Sequence, residues 1–325
     1  MAPTYYRAVA PGSLMLCGEH AVLHNKRAIV IAIDKKVTVT LTPRSDNIVK
    51  IQSVLGTLEI ALQDITVQKP FTFILAAILY FKEVLPTGFD ISVDSEFKDT
   101  LGLGSSAAVT VATVFVLQEF IASIEDKEKK SANNTRDTLR ILFEIAREII
   151  RRVQGVGSGA DVAACVYGSI VVYQQNAPYI LKKIDKGLPL VVIYSGFKTP
   201  TSQVIQKVEN LRQQYPVILE ALFEAMDKSI PDIILAIEAE DWVKLGELLR
   251  IQQGLMNAIG VGTERIDEII EILSQDIGIS GAKISGSGLG DCVIAIGKRG
   301  HLHRQFPLDV YEIPLAVDMV GVSCA

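Results

Sequence analysis

An α+β protein of two units is what this sequence predicts, and three observations carry the expectation. Its 325 residues suffice for roughly two domains at about 100–200 residues each. β-branched apolar runs crowd the first part of the chain, and helical spacings enter later. Apolar strand-like runs flank a break near residue 187, so the units are expected at 1–186 and 187–325.

In chain order, the first forty residues alternate short apolar runs with turns, and AIVIAIDKKVTVTLTP reads as strands ended by Pro43 and the polar PRSDN. IVKIQSV and LEIAL read as further strands, Thr72 to Glu83 as a helix, and PTGFDISVDSEF as turn and strand. The run after residue 104, to about Ile124, is apolar nearly all round and therefore predicts a buried helix. EDKEKKSANNTR lacks periodicity and reads as a solvated connection. Leu139, Leu142, Phe143, Ala146, Ile149, Ile150 and Val153 recur at helical spacing over Thr138 to Val153. CVYGSIVVYQ and LPLVVIYSG read as strands, and mostly helical sequence follows with breaks at Pro231 and GVGT. CVIAIG and DVYEIPLAV close the chain as β-rich elements.

A net charge of -5 gives no electrostatic reason to expect nucleic acid or a membrane surface, which leaves a small molecule as the expected partner. The run FTFILAAILYF is shorter than the ~20 residues of a membrane helix. No secretion signal is apparent in MAPTYYRAVAPGSLM. Cys17, Cys165, Cys292 and Cys324 are scattered without CxxC spacing, so they read as thiols of a reducing compartment, the cytoplasm.

Three glycine clusters carry the chemistry: GLGSSAA at 102–108, VQGVGSGAD at 153–161 and KISGSGLGDC at 283–292. A glycine turn feeding a helix start leaves backbone N–H groups unpaired at the positive end of the helix dipole, which suits a phosphate. Gly102, Leu103, Gly104, Ser105, Ser106 and Ala107 are the candidate cradle. The sequence has neither the Walker pattern nor a strand-linked dinucleotide fingerprint. Ser105 or Ser106 reads either as an ordinary helix cap or as a hydroxyl ligand for Mg²⁺, a hard ion that takes oxygen ligands. The third cluster, by itself, suits a hairpin turn as well as a binding loop.

APGSLMLCGEHAVLH, GLGSSAAV and KISGSGLGDC, in this order, resemble the three motifs of the GHMP kinases. GEHAVLH, GSGADVAACVYG and QQGLMNAIGVGTERIDEII resemble, within that family, the branch that phosphorylates mevalonate. The resemblance implies an N-terminal unit like domain 2 of ribosomal protein S5, a ferredoxin-like C-terminal unit, ATP and Mg²⁺ as cofactors, and transfer of a phosphoryl group to a small hydroxy acid. The acceptor it implies is mevalonate. Phosphomevalonate, a sugar, or a sensor that has lost the chemistry are the alternatives.

Residue by residue, the resemblance makes Asp161 the catalytic carboxylate, with an N-cap as its ordinary alternative, and puts Glu19 and His20 on the acceptor acid. The third loop is implied to pack beside the phosphate loop, with Lys283 facing an anionic ligand. His24, His301 and His303 have no such support and read as structural or exposed. Ser13 departs from the family, which carries a lysine here. Lys198, in SGFKTPTS, is the candidate substitute cation. The family's metal-binding glutamate would fall at Ile150, so Glu148 is the nearest upstream candidate, with pairing to a nearby arginine as the competing reading. The helices after residue 203 leave room for a homodimer face.

Overall fold

The computed structural model describes residues 5–125, 136–300 and 306–324. Most of the EDKEKKSANNTR connection, and both His301 and His303, lie outside the described residues.

Two long strands open the chain, β1 (Tyr6–Cys17) and β2 (Ala28–Pro43), rather than several short ones, and Pro43 is the last residue of β2. β3 (Ile48–Ser53) and β4 (Gly56–Ala61) form a hairpin, followed by α1 (Thr72–Phe81), a 3-10 turn over Lys82–Val84, and β5 (Phe89–Ser95). Then come α2 (Ser105–Glu125), α3 (Arg136–Gln154), α4 (Ala160–Tyr167), β6 (Ile170–Tyr173) and β7 (Ile180–Ile184). CVY, expected as strand, is therefore the end of a helix, stopped at Gly168 with φ 68°. α2 is long and apolar enough to cross a membrane by length and composition. It surpasses FTFILAAILYF in that respect, yet Ala108, Val111, Ala112, Val114, Val116 and Leu117 on it are buried in the core, as its all-round apolar sequence predicts.

β8 (Leu190–Tyr194) starts the second sheet, and four helices follow: α5 (Thr201–Gln214), α6 (Pro216–Glu238), α7 (Trp242–Ala258) and α8 (Glu264–Ser274). β9 (Ile279–Ser285), β10 (Cys292–Gly297), β11 (Tyr311–Glu312) and β12 (Ser323–Cys324) complete the chain. Pro231 does not break the helical run, because it lies inside α6. A proline lacks the N–H that would bond the carbonyl four residues back, which here is that of Asp227. Arg27 donates to that carbonyl at 3.1 Å while its guanidinium also grips the Asp227 carboxylate at 2.7 and 2.9 Å. The orphan left by the proline thus becomes a clamp between α6 and the residue that leads into β2.

The first sheet runs β12-β1-β2-β5-β3-β4, with β6 joining β2 and β7 joining β6. Its pairings are antiparallel except β3 with β5. The second runs β11-β8-β10-β9, all antiparallel. The chain's end crosses back, since β12 pairs with β1 and Val317 bridges Ile33. The tail therefore belongs to the first sheet, whereas the sequence assigns all of 187–325 to the second unit. A register shift between Pro11 and Gly12, where β1 skips two residues of β2, sets the next residue, Ser13, against the loop that precedes α2.

Candidate active site

The glycine loop before α2 is built as its sequence requires. A 3-10 turn over Asp99–Leu101 ends on Gly102 with φ 71°, Gly104 has φ 70°, and the helix begins at Ser105. An L side chain is strained at such a φ, and a Cβ on Gly104 would stand 2.0 Å from Ser13 Oγ. Gly102, Gly104, Ser105, Ser106 and Ala107 line a cleft of about 1110 Å³ together with Ser13, Glu19, His20, Asp161 and Lys198. Leu103 does not line it: its side chain is buried in the core, and its carbonyl accepts a bond from Ser13 N at 3.0 Å.

Asp161 lies in the first turn of α4, but the cap position belongs to Gly159, so capping does not account for the carboxylate. Ser13 Oγ donates to Asp161 Oδ1 at 2.8 Å. The residue is exposed toward the cleft, whose walls surround it. That enclosure pushes its pKa above the ordinary carboxylate range, against the pull of the Ser13 bond and of the Lys198 charge. Lys198 Nζ lies 3.6 Å from Asp291 Oδ1, with about 33% of its side chain exposed. The lysine lines the same cleft as Asp161 and Asp291, and its charge acidifies both carboxylates.

At the far wall, His20 takes φ 57°, a backbone conformation uncommon for a side-chain-bearing residue. Its Nε2 bonds the Ser287 carbonyl at 2.8 Å. A carbonyl only accepts, so Nε2 carries the proton; burial lowers the ring's pKa and keeps it neutral, leaving Nδ1 as an acceptor. Lys283 is fully buried rather than facing a ligand, and its ammonium meets Glu19 Oε1 at 2.5 Å. Glu19 Oε2 and Ser287 Oγ have no hydrogen-bond partner among the described residues. His24 stacks on Phe223 at 4.7 Å, a packing role.

Glu148 is not brought to the site. It pairs with Arg152 at 2.8 Å, one helical turn on, with 44% of its side chain exposed. The position at the family spacing is Ile150, which does line the cleft and offers no ligand atom. The carboxylate missed by sequence reading is Asp291. The signal was present, since the second and third glycine clusters both end in aspartate, GSGAD and GLGD. The third loop does pack on the phosphate loop: Cys292 Sγ bonds the Leu101 carbonyl at 3.2 Å, and a Cβ on Gly102 would come within 2.8 Å of Asp291 Oδ1.

Residues 72–169 match the GHMP kinases N terminal domain, and residues 233–304 match the GHMP kinases C terminal domain. A mevalonate kinase of Archaeoglobus fulgidus is 32% identical over 296 residues, 90% of this chain and 92% of its own. One of Pyrococcus horikoshii is 29% identical over 311 residues, 90% of this chain and 88% of its own. Among solved structures, Methanococcus jannaschii mevalonate kinase superposes with a TM-score of 0.77 at 23% identity, covering 98% of this chain and 100% of that one. Lactococcus lactis galactokinase, solved with galactose, gives 0.78 at 16% identity, covering 100% and 95%, and so shares the fold. The two matched domains, the full-length relatives and the glycine loop at the start of α2 agree, and the chain belongs to the GHMP kinase family.

Proposed function

We propose that this kinase transfers the γ-phosphoryl group of ATP to the primary hydroxyl of mevalonate, giving 5-phosphomevalonate and ADP. The observation that carries the chemistry is the meeting of Asp161 with Ser13 and the phosphate loop in one cleft. The relatives named mevalonate kinase, matched over nine-tenths of the chain, carry the acceptor. A division between residues 184 and 190, with the tail rejoining the first unit, puts the phosphate loop and Asp161 on one side of the cleft and Lys198 on the other.

Phosphoryl transfer asks mainly for positioning and charge neutralisation. On this reading the backbone N–H groups of the 102–107 loop hold the phosphates, at about 1.5–3 kcal/mol for each charge-assisted bond. Asp161 receives the proton of the attacking hydroxyl, and Ser13, standing where the family has lysine, keeps that carboxylate oriented. Lys198 supplies the missing cation. Glu19 Oε2 and His20 Nδ1, both acceptors, offer hydrogen-bond partners to the second hydroxyl of the acceptor. Mg²⁺ fits this site: Ser105 and Ser106 open onto the cleft, and Mg²⁺ usually keeps several waters and takes phosphate oxygens. Ser105 or Ser106 would hold it. When bound it neutralises charge on the phosphates. Four free cysteines, three of them buried, accord with work in the cytoplasm.

Purified protein with ATP and a panel of mevalonate, phosphomevalonate and galactose tests the acceptor. Turnover of mevalonate above the others is expected. ATP binding without ADP formation at saturating mevalonate and Mg²⁺ would instead mark a sensor.

Lys198→Met should lower turnover by about 10- to 100-fold, less than loss of a fully enclosed electrostatic donor, because part of this lysine faces water. Adding Ser13→Lys should recover part of that loss. Turnover at the wild-type level in Lys198→Met would show that the enzyme works without this cation.

The acid limb of the kcat/KM profile should lie above the ordinary carboxylate pKa of about 3.9, because enclosure raises Asp161. Ser13→Ala removes a donor to the ionised form, so the limb should move further up and activity at mildly acid pH should fall. A limb that stays in place would separate Ser13 from the ionisation of Asp161.

A further inference from the structure

Asp291 closes the third glycine loop, inside the quoted KISGSGLGDC, and lines the cleft with no role assigned to it so far. It is 5% exposed, and its Oδ1 has no hydrogen-bond partner among the described residues. Lys198 Nζ stands 3.6 Å from that oxygen, which makes an ion pair, not a hydrogen bond. The carboxyl also rests against Gly102 of the phosphate loop. A carboxylate oxygen buried without a hydrogen bond is costly, so its retention here calls for a physical reason.

The reason lies in Lys198. This lysine sits in the loop between β8 and α5, on a flexible four-carbon stem that loses rotamer freedom when it is held in place. Its neighbours are tied to the third glycine loop from both sides. Asp291 N donates to the Phe197 carbonyl at 2.9 Å, Ser195 N donates to the Asp291 carbonyl at 2.9 Å, and Thr199 Oγ1 donates to the Leu289 carbonyl at 2.5 Å. The backbone anchors the loop, and the one charge on Asp291 is left to aim the side chain. A family lysine at position 13 would be held by strand β1 itself. A lysine borrowed from a loop needs a second anchor.

We infer that Asp291 is a positioning residue for Lys198, its buried carboxylate holding the ammonium between Asp161 and the phosphate loop so that the cation is in place before the phosphoryl group moves. This rests on the reading of Lys198 as the cation of the site. It also accounts for the orphaned oxygen, which faces the ammonium at ion-pair distance.

Asp291→Asn tests it, because it deletes the charge and keeps the shape and both backbone bonds. Asn also tolerates the left-handed φ of 64° at this position. The expected result is a fall in kcat of about 10- to 100-fold, with KM for ATP and for mevalonate within about twofold. Introduced into Lys198→Met, the same change should cost less than about twofold, since a residue acting through Lys198 has nothing left to act on. Asp291→Ser, smaller and free of any clash with Gly102, serves if the Asn variant does not fold. Additive losses in the cycle would overturn the inference, and so would a raised Mg²⁺ requirement in Asp291→Asn, which would make Asp291 a metal ligand. If the wild-type chain turns over none of the acceptors, the functional reading fails on its own. The crystal structure of Asp291→Asn then decides: displacement of Nζ sustains the positioning role, and an unmoved Nζ ends it.

Discussion

Asp161→Asn lowers turnover by at least about 100-fold and leaves ATP affinity close to that of the wild type, the expected result when a proton-accepting carboxylate is replaced by its neutral isostere. Asn keeps an oxygen for the Ser13 hydroxyl, so the 2.8 Å contact survives and the geometry of the phosphate loop is not disturbed. Stability supplies the control. Enclosure raises the folded-state pKa of Asp161 above its unfolded value, so the folded chain holds this proton more tightly. Stability is then lost as pH rises through the two values, by a small amount because the residue is exposed to the cleft. Removing the charge should leave thermal stability unchanged or raised while activity collapses, a combination that marks a residue kept for function. Kinetics, calorimetric ATP titration and a melting curve on one variant test all three. Undiminished turnover would remove Asp161 from the chemistry.

The fold was legible where local periodicity is strong. α2 and α3 read correctly because an all-apolar run and a 3.6-residue stripe each have one comfortable burial, the first inside the core and the second against it. Reading failed where a partner distant in sequence decides. Pro231 looked like a helix break because its cost was judged locally, but Arg27, two hundred residues upstream, takes up the carbonyl it orphans. The return of the tail to β1 had no local signal either, since β12 is only two residues long.

The site shows the same division. GLGSSAA announces itself, because positive φ and close approach demand glycine at particular places. Ser13 and Asp161 are 148 residues apart, and no spacing rule connects them; the motif resemblance brought them under suspicion, and the fold brought them to hydrogen-bond distance. Glu148 failed for a reason of helical phase. On a helix, two residues' displacement from Ile150 turns the side chain by roughly half a circle, from the cleft to the solvent face where Arg152 holds it.

Lys283 shows the same effect of distant partners on a charge, and its replacement carries the second large effect. Position 283, in a glycine-rich motif, suggested an ammonium facing an anionic ligand, yet the side chain is fully buried on β9 and pairs with Glu19 from the opposite unit. It also donates to the Ile284 carbonyl. Lys283→Met should therefore destabilise the chain by about 3–5 kcal/mol, the cost of leaving one member of a buried pair uncompensated. Glu19 is poorly placed to absorb the loss, because its second oxygen already lacks a partner. Against a total stability of about 5–15 kcal/mol for a typical domain, that loss is decisive, and urea denaturation should show it as a lower midpoint. Adding Glu19→Gln removes the orphaned charge and should restore much of the stability, while the acceptor contact at Oε2 is lost. The double variant is then expected to fold, bind ATP and bind mevalonate weakly. A loss below about 1 kcal/mol in Lys283→Met, as for an exposed pair, would mean that Glu19 finds water or another donor when the lysine is gone.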